Sequence, residues 1–359
     1  MDVLSRRQLN RASLDRQLLL ARADLSACAA IEHLAGMQAQ APNAPYVGLW
    51  SRVNRFQQAE LADALLSRRV VRTPLLRGTV HLVTPADAGA WYPLVRPVLA
   101  RGFASNYGRA LDGVDMAVLL ADATALLAER PRTRVEISAA LAERWPDRDR
   151  TSMAYAVTYL LPVVQVPPRG VWGETGQATW TTTESWLAVV PTAGSVADMI
   201  VRYLTAFGPA TVKDMQTWCG LTRLREITGQ LSLRTYRGED GATLFDLPDA
   251  ELPDPETPAP PRFLPEYDNL LLSYADRARV GADHRAVPLP PGIGAVSGSV
   301  LVDGFWQANW RLVRSDSTAT LHIEPFDRLP RADIAAVTAE GHRLLDFVGA
   351  EGDVAFTRP

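Results

Sequence analysis

Three times along this chain, a set of helix-forming segments is followed by two β-prone pieces. This recurrence limits the fold more than any other feature. Helices followed by a small β-ribbon describe a winged helix-turn-helix, so three such units in tandem are expected. In the first set, Leu9, Ala12, Leu14, Leu18 and Leu19 approximate helical spacing over 5–20. Asp24 or Ser26 can cap a second helix running towards Met37, and a third covers about 58–67. The β-prone pieces 70–73 and 79–83 flank Pro74 to Gly78, which predicts a ribbon, the wing of a winged helix. A connector helix over 85–102 carries Pro93 and Pro97, which predict a kink or a split.

The second set has helices over 117–129, 135–145 (capped by Thr133) and 151–161, then strands over 163–168 and 178–183. The third has a helix over 196–207 ended by Gly208-Pro209, and a Thr211-capped helix over 212–218. A Gly220 break, a helix over 221–231 and a Gly-Glu-Asp-Gly hairpin follow, the parts a recognition helix and wing need. From Leu247 the chain turns Pro-rich and acidic. Antiparallel strands are expected over 295–302, 305–313 and 317–324, with an Asp303-Gly304 turn and a closing helix over 331–347. The expected fold class is α+β, with three tandem winged helix-turn-helix units and a small β-rich C-terminal region. The expected boundaries are 1–90, 91–190 with the connector helix, 191–250, and 251–359 with the strap.

Composition narrows the function. With 47% hydrophobic residues the chain can bury a core, which excludes intrinsic disorder. No run of 18 apolar residues exists and no apolar core follows the N-terminal Ser-Arg-Arg, so a soluble cytoplasmic protein is expected. Two cysteines, Cys28 and Cys219, make neither a disulfide framework nor a four-cysteine zinc site. The net charge of -3 hides an asymmetry, because residues 1–110 carry fourteen Arg against seven acids. Such a region is either a set of solvated helix faces or a polyanion footprint. There is no GxGxxG opening a helix after a strand, no GxxxxGK[ST] and no HExxH. His33, His81, His284, His322 and His342 have no metal-ligand spacing, so neither metal nor cofactor is expected.

The unusual local feature is Met37-Gln38-Ala39-Gln40-Ala-Pro-Asn43-Ala-Pro-Tyr46, two carboxamides flanking one small residue at an expected helix end. Spacing alone fits a solvated face. The other reading is a pair of neutral donor–acceptor groups aimed into a groove. This stretch, continuing Val-Gly-Leu-Trp-Ser-Arg52, resembles the signature region of the AlkZ/YcaQ-like DNA glycosylases, with their Gln-Φ-Gln or Gln-Φ-Asp motif. Leu76-Arg-Gly-Thr-Val-His-Leu-Val83, Gly208-Pro-Ala-Thr211, Phe263-Leu-Pro-Glu-Tyr-Asp-Asn-Leu-Leu-Leu-Ser-Tyr274 and Val302-Asp-Gly-Phe-Trp-Gln-Ala-Asn-Trp310 are similar to further blocks of that family, in the same order.

The resemblance implies tandem winged helices in a concave (C-shaped), positively charged scaffold. It implies monofunctional excision of cationic N7-alkylguanine from double-stranded DNA, and in some members unhooking of interstrand crosslinks or self-resistance to an alkylating natural product. It places the catalytic motif at Gln38, Ala39 and Gln40, nearer the AlkZ-like branch because the second polar residue is Gln. Ala39 is smaller than the usual Φ residue. A carboxamide is a poor base, but a cationic purine already leaves readily, through an oxocarbenium-like transition state. Positioning a water and stabilising charge on the sugar then suffice.

Further DNA-binding candidates are Asn43, Arg77, Thr79, His81, Arg277 and Arg279. Strand alternation puts Arg77, Thr79 and His81 on one face, either solvated or in contact with DNA. Asp268 and Asn269 read as an Asx turn. Trp172, Trp180 and Trp186 read as core or interface rather than base-stacking wedges. The chain is expected to act as a monomer away from membranes. The rival readings are a non-catalytic winged-helix DNA-binding protein or regulator, and a protein-interaction scaffold.

Overall fold

The computed structural model describes residues 2–281, 297–315 and 318–357. His284 and the first residues of the strand expected from 295 lie outside the described residues. Local chemistry starts most helices. Ser5 Oγ accepts from Gln8 N ahead of Arg6–Arg16, and Ser26 Oγ accepts from Ala29 N ahead of Ala27–His33. Reciprocal capping boxes, Thr133 with Glu136 and Thr211 with Asp214, start Arg134–Ala142 and Val212–Cys219. The connector Pro85–Asn106 runs as one helix through Pro93 and Pro97, so the expected split does not occur. Trp91, Val95, Leu99 and Phe103 recur every four residues and are all buried, and this packed face offsets the bonds the prolines give up.

The first two ribbons are not separate. Val71–Pro74 pairs antiparallel with Val80–Val83, and Val163–Val166 with Thr179–Thr182. One further rung, Arg72 opposite Gln165, joins them into a single six-stranded sheet. Met37–Gln38 and Arg132–Thr133 form its two edges. The Val71–Pro74, Val80–Val83 and Val163–Val166 strands are buried throughout, so these ribbons are core rather than solvent-facing wings. The third ribbon, Arg234–Gly238 with Thr243–Asp246, pairs in parallel with the N-terminal Val3–Leu4.

The C-terminal sheet has five strands: Arg262–Leu264, Gly298–Val302, Phe305–Ser315, Thr318–Pro325 and Gly352–Phe356. The last pairs in parallel with Thr318–Pro325. The closing helix is Arg331–Phe347, as its sequence pattern predicts. Its Phe347 stacks on Trp50 at 5.8 Å, so the C-terminal region packs on the first unit. Several arginines of the basic third are interior. Arg16 binds Asp246 and Arg52 binds Asp268, each through two hydrogen bonds, while Arg11 pairs with Asp303. The sequence asymmetry therefore overstates the positive charge at the surface. Trp180 is buried, Trp172 packs on Tyr46, and Arg68 lies over Trp186. Cys28 and Cys219 are free thiols.

Candidate active site

The glutamine motif lies on an edge strand and not at a helix end. Helix Ala27–His33 stops because Ala35 (φ 53°) and Gly36 (φ 86°) take left-handed conformations, and Gly36 N–H returns to Ile31 O. A Cβ at Gly36 would sit 2.7 Å from Val83 Cγ1, so only glycine fits this close approach. The chain then enters the sheet, with Met37 opposite Leu82 and Gln38 opposite His81. Val80 brackets the motif: its carbonyl accepts from Ala39 N at 2.8 Å and its N–H donates to Gln40 Oε1 at 3.2 Å. Ala39 is fully enclosed, and its carbonyl accepts from Arg72 Nη2 at 2.9 Å. Gln38 is 7% exposed and Gln40 is exposed. A buried anchor thus holds two amides in unlike surroundings.

The turn between the flanking strands brings a cation to Gln38. Arg77 (φ 55°) and Gly78 (φ 73°) fold the chain back on itself. Arg77 Nη2 donates to Gln38 Oε1 at 2.8 Å and to Asn269 Oδ1 at 3.3 Å, while Nη1 donates to Trp218 O at 2.9 Å. His81 Nε2 lies 3.4 Å from Nη2. On the other side of that ring, His81 Nδ1 is 3.0 Å from Thr79 O. A carbonyl only accepts, so Nδ1 carries the proton and Nε2 is the bare acceptor. Burial, with the Arg77 charge beside it, pushes His81 down to about 3, so the ring is neutral at ordinary pH. Burial also pushes Arg77 down to about 10, which leaves it charged.

The Phe263 to Tyr274 block closes the site. Asp268 caps the short helix Asn269–Leu272 and is held by Arg52 at 2.8 Å through both oxygens. Asn269 Nδ2 donates to Gly36 O at 3.1 Å. The Asx reading thus fits Asp268, while Asn269 is a site residue the sequence reading left out. Its signals were its place beside the cap and within the Phe263–Tyr274 block that resembles the family. A crevice of about 10 Å³, room for about one water, lies between Gly36, Gln38, Ala44, Arg52 and Asn269.

The other candidates are dispersed. Asn43 is exposed and begins the helix Ala44–Trp50. Thr79 closes the turn, its Oγ1 donating to Leu76 O. Arg277 is half-buried, with no side-chain partner among the described residues, and lies near enough to Arg77 for their charges to repel. Arg279 is held inside the protein. It donates to Pro209 O at 2.8 Å, pairs with Asp214 at 3.7 Å and lies over the Tyr274 ring. His81 is wholly buried, so the strand face expected to be solvated or on DNA is interior there. Among the described residues, no group of three His, Cys, Asp or Glu side chains is placed to hold a metal, and no helix is long and apolar enough to cross a membrane.

The mixed α+β fold class that the resemblance called for is the one observed, and the comparisons with known proteins agree with it. Residues 31–347 match the DNA glycosylase AlkZ-like family model, and the chain belongs to that family. It is an enzyme, a DNA glycosylase, and DNA is its partner. It is similar to the interstrand DNA cross-link repair glycosylase of Streptomyces sahachiroi, at 24% identity over 93% of this chain and 94% of that one. Its fold matches the solved structure of the Streptomyces sahachiroi DNA glycosylase AlkZ with a TM-score of 0.77, at 21% identity over 99% of this chain and 100% of that one.

Proposed function

We propose that the enzyme is monofunctional and excises cationic N7-alkylguanine from duplex DNA, acting as a monomer, with Gln38 and Gln40 holding the attacking water. The observation that carries this reading is that, among the described residues, no uncommitted carboxylate lines the motif. Gln38, Gln40, Asn269 and the His81 ring are uncharged, and the carboxylate lining the crevice, Asp268, is committed to Arg52. A site without a free base suits a substrate that needs none. The water oxygen bonds to C1′ and the C1′–N9 bond breaks. Its electron pair passes to the purine and discharges the positive charge, and the surplus proton leaves to solvent. The amides contribute placement and oriented dipoles.

Bulky adducts and interstrand crosslinks carry the same cationic guanine, so the reading extends to them and to protection of a cell against its own alkylating product. The cross-link repair activity in the name of the Streptomyces sahachiroi relative supports this extension. Asn43, Thr79 and Arg277 are proposed DNA contacts, the last as a phosphate ligand. The test uses duplex DNA with one N7-methylguanine, followed by mild alkali. The wild type is expected to give strand scission. The Gln38→Ala/Gln40→Ala double variant is expected to be slower by about 100-fold or more. A double variant that excises at the wild-type rate would show that the water is held elsewhere.

A further inference from the structure

Arg77 is a part-buried cation whose hydrogen-bond partners are uncharged. Its hydrogen bonds run to Gln38, Asn269 and Trp218, with His81 Nε2 beside it, and among the described residues no carboxylate pairs with it. Burying a charge without a counter-charge is costly, and neutral acceptors offset that only in part. The arrangement nevertheless fixes something definite. A guanidinium has donors and no acceptor, so the amide atom 2.8 Å from Nη2 must be the Gln38 oxygen. The Gln38 amino group is therefore turned away from Arg77. Gln40 obeys the same rule, because its oxygen takes the Val80 N–H.

We propose that Arg77 is a positioning residue for base excision, which fixes the Gln38 carboxamide in one orientation and makes Gln38 act through its N–H donor. This rests on the assignment of the attacking water to the two glutamines. The cation polarises the Gln38 amide, which weakens its oxygen as an acceptor and strengthens its N–H as a donor. A water accepting from Gln38 Nε2 keeps a lone pair for C1′. The second lone pair of Gln40 Oε1 can accept a hydrogen bond from one of the water's O–H groups. Arg77 contributes neither a proton nor a DNA contact in this scheme. Its role also explains why it reaches into the protein from the tip of a strand turn, where sequence alternation leaves it either solvated or in contact with DNA. His81 supports it by offering a bare Nε2, which Thr79 O secures by holding the proton on Nδ1.

The test is single-turnover excision of N7-methylguanine at saturating enzyme, with DNA affinity measured separately by fluorescence anisotropy. Arg77→Met is expected to slow excision about 10- to 100-fold while Kd changes by less than about threefold. Combining it with Gln38→Ala is expected to add less than about twofold to the loss from Gln38→Ala alone. Gln38→Glu gives a second arm that preserves the fold, since the new carboxylate pairs with Arg77. It lacks the N–H, and it is expected to be as slow as Gln38→Ala with an undiminished Tm. Independent, multiplying losses in the double variant would overturn the positioning role. So would an Arg77→Met protein with weakened binding but an unchanged saturated rate. Gln38→Glu at wild-type speed would overturn the donor role. Gln38→Ala at wild-type speed is a different failure, because it removes the glutamine reading itself.

Discussion

His81 does not titrate where histidines ordinarily do. Its pKa lies near 3 in the folded protein, against about 6.5 in an unfolded chain. The unfolded chain therefore takes up a proton that the folded one refuses. The stability this group supports is complete above about pH 6.5 and is lost as pH falls towards 3. The expected slope is on the order of 1 kcal/mol per pH unit between about pH 6 and 4. Urea unfolding at several pH values should show a shallower acid limb for His81→Gln than for the wild type. Equal limbs would assign the acid loss to other groups. At this scale the sequence was informative about type and poor about direction. Gln38 and Gln40 stand out as a motif, and Arg77 and His81 as chemistry-bearing neighbours. Nothing in their spacing says that Arg77 turns inward, that His81 is enclosed, or that Arg279 is tied to Asp214 and Pro209. Arg77 meets Trp218 and Asn269, and Arg279 meets Pro209 and Asp214, across more than sixty positions of chain.

Among the elements, the Met37–Gln38 strand depends on the turn before it. Gly36→Ala places a methyl against Val83 and Leu82 O at a positive φ. The expected cost is about 1–3 kcal/mol, with a drop in base excision and an unchanged far-ultraviolet circular dichroism spectrum. A destabilised variant with full activity would show that the strand can shift without loss to the glutamines. Elements that announce their ends were legible. The Thr133 and Thr211 caps and the helix Arg331–Phe347 are examples. Ala44–Trp50 was not, because all seven residues are buried and no polar face gives a period. The helix expected over 221–231 shrinks to Leu224–Thr228, since Gly220 (φ 76°) and Arg223 (φ 62°) both turn left-handed before it. Met37–Gln38 has only two residues, too few to alternate, and it borrows its strand character from Val80–Val83.

For the whole molecule, the order of helices and ribbons was readable, but the fusion of two ribbons was not. A junction made of the single rung Arg72–Gln165 leaves no periodic mark in either strand. A fragment ending at residue 110 would keep the pairing of Val71–Pro74 with Val80–Val83 but lose Val163–Val166, and so open a buried sheet edge. It is expected to aggregate or self-associate in size-exclusion chromatography. A monodisperse, folded fragment would show that the rung is dispensable. Arg72 joins this seam to the motif itself, since it donates both to Gln165 Oε1 and to the Ala39 carbonyl. Heredity at this junction is consequently collective. A chimaera that exchanged residues 37–83 without 163–182 would set an unfamiliar neighbour behind the glutamines. A chimaera that carried the two stretches together is expected to keep the Arg72 bonds to Gln165 and to the Ala39 carbonyl intact.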